Sequence, residues 1–83
     1  MTTIGRDLNC MGNKAISEKT FPDLYSVGGN LIIANSGFTK LPSTLKIIGG
    51  NVIVSKNDPE SLINDLKLAK QNGILKGDIL FID

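Results

Sequence analysis

Eighty-three residues carrying nine Lys/Arg and eight Asp/Glu have a net charge of +1. That is too balanced for the concentrated basic surface that nucleic-acid binding draws on, and too weakly acidic for a whole-surface DNA mimic. The chain has no histidine and one cysteine, which excludes Cys-His and Ser-His-Asp nucleophile arrangements, zinc sites built from imidazoles or several thiolates, and an intramolecular disulfide.

No run approaches the eighteen or more apolar residues of a membrane span, and residues 1–3 lead into patterned sequence rather than a charged and apolar leader, so the cytoplasm is the expected location. The hydrophobic content of 41% with no tryptophan predicts a core of Ile, Leu and Val. Residues 1–83 read as one small domain, and Cys10, the lone cysteine, reads as a small buried hydrophobe within it.

Along the chain an Ile/Val-Gly-x-Asn/Asp-apolar-x-apolar pattern recurs: Ile4 to Cys10, Val27 to Ile33, Ile48 to Val54, and more loosely Leu75 to Phe81. The aligned Asx residues, Asp7, Asn30, Asn51 and Asp78, are spaced by 23, 21 and 27 residues. Units this short cannot bury an apolar face alone and must stack. Stacked in one sense, they predict about four short parallel strands in a single sheet, each entered through a glycine turn. Alternation then puts Leu8/Cys10, Leu31/Ile33, Val52/Val54 and Ile79/Phe81 on the core face.

The connecting legs repeat as well, Phe21-Pro22-Asp23-Leu24 answering Leu41-Pro42-Ser43-Thr44-Leu45. Proline keeps these legs from becoming regular helices, and Ile16, Phe21, Phe38 and Leu41 are expected to fill the core from them. Residues 58–72 differ. Asp58 as N-cap, Pro59 at the first helical position, Glu60 in the first turn and an Asn72-Gly73 stop predict a crossover helix. Its stripe is Leu62, Ile63, Leu66 and Ala69, with Glu60, Asp65, Lys67 and Lys70 mainly outside it. Burying a Leu or Ile contributes about 1.5–3 kcal/mol, so this stripe supplies much of what so small a core needs.

The run Leu41-Pro42-Ser43-Thr44-Leu45-Lys46-Ile47-Ile48-Gly49-Gly50-Asn51-Val52-Ile53-Val54 and its earlier copy from Phe21 to Ile33 resemble the leucine-rich-repeat-like units, roughly LPxxLxxxGGxLxLxxT, of many small bacteriophage and bacterial proteins. The resemblance covers about half the chain well. It implies a curved solenoid fragment that binds protein through its sheet, with no catalytic residue and no cofactor or metal, and it points to a phage-encoded inhibitor or modulator of a host protein.

The chain departs from that pattern at the outward strand position, usually polar, which here reads Asn9, Ile32, Ile53 and Leu80. On parallel strands about 4.8 Å apart these side chains would form one stripe on the face away from the core. An apolar stripe with polar flanks marks a binding surface. The predicted partner-binding residues are therefore Asn30, Ile32, Asn51, Ile53 and Leu80, flanked by the Asx row and by Met11/Ala34/Ser55/Ile82. Intramolecular cover of the stripe is the competing expectation, since near-continuous apolar runs also suit strands buried on both faces.

Other motifs are better explained by the repeat. The Gly-Gly pairs precede strands, whereas phosphate loops follow a strand and open a helix. The scattered lysines have no interleaved aromatics on which bases would stack. A last strand with an uncovered edge predicts pairing with another chain, a homo-oligomer with a dimer as its simplest form. The leading expectation is thus a non-enzymatic protein-binding module, with a homo-oligomeric assembly protein second and a nucleotide sponge third.

Overall fold

A computed structural model describes residues 2–82; the Met1 and Asp83 ends of the predicted domain lie outside them. The described chain is a compact α/β fold with parallel strands in two sheets and one helix. One sheet holds β1 (Thr2–Ile4), β3 (Leu24–Val27) and β5 (Ile47–Ile48) in the order β1-β3-β5. The other holds β2 (Leu8–Asn9), β4 (Leu31–Ile32), β6 (Val52–Val54) and β7 (Ile79–Phe81) in the order β2-β4-β6-β7. The sequence pattern predicted the second sheet only. The glycines of the repeat form corners between strands rather than turns before one, so the run ahead of each pairs too: Ile4, Val27 and Ile48 are neighbours across the first sheet, and Leu75 bridges to Ile48.

The corners are close-packed. Gly28 and Gly49 donate their N–H groups to Ile4 O and Val27 O of the preceding unit at 2.6 and 2.8 Å. At Gly29, Gly50 and Gly77 an added Cβ would come within 3.0 Å of the Oδ1 of Asp7, Asn30 and Asn51 respectively. Only glycine lets successive corners approach to strand spacing here.

Between the sheets lies one core, with Leu24, Val27, Leu31, Ile33, Phe38, Ile48, Val52 and Val54 essentially inaccessible. Cys10 joins it as expected, and Ile16, Phe21 and Leu41 pack against it half-buried. Phe21 and Phe38, one from each of the first two legs, stack with ring centroids 6.5 Å apart. On β7 the expected core face is incomplete: Ile79 is half-buried, and Phe81 is 44% exposed because no strand lies beyond it among the described residues.

Helix α1 (Glu60–Gln71) buries Leu62, Leu66 and Ala69 in the same core. Its start differs from the predicted one. Pro59 occupies the N-cap position and no side chain caps the helix. Asp58 is instead buried, its carboxylate accepting from Ser55 N at 2.8 Å and from Asn35 N at 3.2 Å. Those two amides, one in the turn before the helix and one in the preceding leg, hold the carboxylate in the interior, away from the helix end. Asp65, expected on the outer side, accepts from Leu41 N at 3.1 Å and ties the helix to the same leg. The stop is as read, with Asn72 as C-cap and Gly73 at φ +80°.

Candidate functional site

The site is assembled by strand register. Asn9 lies beside Ile32, Ile32 beside Ile53, and Ile53 beside Leu80. Their neighbours along each strand, Leu31, Val52 and Val54, point into the core, so alternation turns the row to the opposite face. The helix packs with that core and therefore lies on the far side of the second sheet from the row. Ile32 and Ile53 are half-buried, while Asn9 and Leu80 at the row's ends are exposed, Leu80 by 43%. Of the expected flank Met11/Ala34/Ser55/Ile82, only the outer members Met11 and Ile82 are exposed; Ala34 and Ser55 are buried where their legs turn inward.

The other flank, Asp7/Asn30/Asn51/Asp78, forms a ladder within the fold. Asp7 Oδ1 accepts from Asn30 N at 2.7 Å, Asn30 Oδ1 from Asn51 N at 2.8 Å, and Asn51 Oδ1 from Asp78 N at 2.8 Å. Each side chain supplies the acceptor that the next unit's corner amide needs. Asn30 and Asn51, assigned from the sequence to partner binding, therefore direct their side-chain oxygens along the stack. Asp78 at the end of the ladder forms an exposed ion pair with Lys70 at 3.3 Å, and Lys70 also donates to Gly77 O. An exposed pair of this kind contributes little to stability.

Titratable groups elsewhere serve the fold. Burial pushes the Cys10 thiol up, away from the thiolate form a nucleophile needs. Glu18 sits in the short 3₁₀ turn Glu18–Thr20 and accepts from Thr39 N at 2.9 Å and from Thr39 Oγ1 at 3.0 Å. Burial pushes its carboxyl up, but the hydrogen bonds, that from the Thr39 N–H foremost, outweigh burial and hold it below the usual carboxylate range. Among the described residues no three His, Cys, Asp or Glu side chains gather into a cluster able to hold a metal ion, and no helix is long and apolar enough to cross a membrane.

Two open cavities, of about 250 and 180 Å³, lie on either side of Leu41-Pro42-Ser43, and neither is lined by a residue of the row. Sequence reasoning missed part of the exposed apolar surface. Phe81 was assigned to the core by alternation alone, and Leu68, 54% exposed on α1, lies outside the helix stripe.

The architecture defines a class and no more: a small α/β protein of stacked strand–corner–strand units. The chain matches no protein-family model, and no match is found among curated proteins or solved structures.

Proposed function

We propose that this chain is a short solenoid fragment acting as a non-enzymatic protein-binding module, which works by covering a surface of its partner with the outer face of the second sheet. The observation that supports this is the in-register row Asn9/Ile32/Ile53/Leu80, in which three of four side chains are apolar on the face opposite the core. Aligned apolar side chains on a rigid sheet lose little conformational entropy on binding, and such an apolar patch is a common interface core. Ile32, Ile53 and Leu80 supply the buried area. Asn30 and Asn51 hold the strands that carry it in register. The leucine-rich-repeat-like resemblance makes an occluding inhibitor of a host protein, encoded by a phage, the form of this module to test first.

The test is the double substitution Ile32→Asp plus Ile53→Asp. In a protein whose circular dichroism is unchanged, capture of the native partner from host lysate should be lost. Equal recovery of the same proteins by the folded double variant would sink the assignment.

A further inference from the structure

The two ends of the second sheet are not equivalent, and the difference limits what can lie against β7. Val52 N donates to Asp78 O at 2.9 Å and Ile82 N to Val54 O at 3.0 Å. In a parallel ladder the groups alternate, so the N–H and C=O of both Ile79 and Phe81 face away from β6. No strand meets them among the described residues. Three consecutive apolar side chains lie on this edge, Leu80, Phe81 and Ile82, exposed by 43, 44 and 49%. The edge is only three residues long, but with no proline, glycine or charged side chain on it the unpaired groups remain a template for pairing.

Continuation of the stack by the β2 end of another copy does not fit. Every corner stacked on an earlier one has glycine at the position before its Asx residue, and at Gly50 and Gly77 an added Cβ would come within 2.8 and 2.5 Å of the preceding corner's backbone, which cannot swing away as a side chain can. The corner of the first unit has Arg6 in that position. Set against the Gly77 corner of another copy, the Arg6 Cβ would meet its backbone as a Cβ at Gly50 would meet that of Gly29, 2.8 Å away.

We infer that β7 is a homodimer edge, pairing antiparallel with β7 of a second copy about a twofold axis through Leu80. This register puts each Ile79 opposite Phe81 of the other copy, so every outward backbone group of both edges is paired. The two Leu80 side chains meet as a non-hydrogen-bonded pair, with Cα atoms about 4.5 Å apart. Each Asp78 falls opposite Ile82, so the acidic side chains do not oppose one another. The interface is isologous and closes at two copies. It buries much less than the ~800 Å² per partner of a standard interface, so the dimer is concentration-dependent. The inference does not depend on the binding role of the row: the folded Ile32→Asp plus Ile53→Asp protein should still dimerise.

Sedimentation equilibrium from micromolar to millimolar protein tests it. The mass should rise from 8.9 kDa toward twice that value. Phe81→Pro removes an N–H that faces outward and should hold the mass at the monomer value with the melting temperature near that of the native chain. Should the proline variant not fold, Phe81→Lys, placing a charge at an already exposed position, gives the same readout. Oxidation of Leu80→Cys should link two copies, as the pair falls within disulfide reach, whereas Asp78→Cys should not link. A native chain that stays monomeric, a dimer indifferent to the Phe81 variants, growth beyond two copies, or linkage at 78 in place of 80 would each overturn the inference.

Discussion

The glycine corners and the return legs meet the same requirement in different ways. Both stack successive units closely enough that backbone amides of one need acceptors from another. At the corners one device is repeated: an Asx oxygen serves the next unit's amide, and a glycine leaves room for it. Along the legs there is no common device. The first leg uses Glu18 on Thr39, while the third uses Asp58 on Asn35 and Asp65 on Leu41. A repeat thus specifies its geometry where the backbone shape recurs. Where the legs change from 3₁₀ turn to loop to helix, individual carboxylates take over.

This contrast can be broken most sharply at a corner. Gly50→Ala would place Cβ 2.5 Å from Asn30 Oδ1 and 2.8 Å from the backbone of Gly29, and neighbouring strands prevent relief. We expect a loss of about 3 kcal/mol or outright failure to fold, read by urea denaturation. Asp58→Ala attacks a leg instead. It leaves the amides of Ser55 and Asn35 without the carboxylate that serves them, and should cost about 2 kcal/mol by the same measurement. A smaller loss from Gly50→Ala than from Asp58→Ala would reverse the ranking of corner over leg.

Gly73→Ala is the control for glycine itself. Its φ is +80° but no atom lies within 4 Å of an added Cβ, so only conformational strain of about 1 kcal/mol is expected. Gly50 has no such φ, so a cost for Gly50→Ala no larger than that for Gly73→Ala would show that close approach at the corner is relieved at little cost.

The last and smallest effect is a pH dependence at the first leg. The Glu18 carboxyl is held below its ordinary value, so its contribution is complete above the unfolded pKa of about 4.3 and is lost as pH falls through the lower folded value. The stability difference between the native chain and Glu18→Gln should therefore be present at neutral pH and shrink on acidification. A constant difference would mean that the clip does not depend on charge.

Much of the corner was legible in the sequence because the spacing of Asp7, Asn30, Asn51 and Asp78 sets the strand register, and with it the row through Ile32 and Ile53. The first sheet was not. Leu24-Tyr25-Ser26-Val27 carries half-buried residues between its two core positions, and a Gly-Gly pair after such a run reads as the end of a loop as readily as a corner between strands. The ladder role of Asn30 and Asn51 was hidden for another reason: period-two alternation reports the face a side chain leaves from, not the reach of its oxygen along the stack. The Asp58 cap failed because the amide of Ser55, three residues before it, and that of Asn35, brought close only by folding, take the carboxylate. Glu18 left a usable trace, since Thr39 is 21 residues away, one repeat spacing.

The Arg6 corner has a consequence for how such a chain changes length. Duplicating a Gly-Gly-Asn unit between Asn30 and Asp78 brings in both the acceptor its successor needs and the glycine its predecessor demands, so the copy is accommodated at once. A unit ending in Asx placed ahead of Arg6 arrives with the acceptor but meets a side chain where glycine is required, and it needs a second mutation before it can stack. Adding a unit to this stack is therefore easier in its middle than ahead of its first corner, a difference set by one side chain.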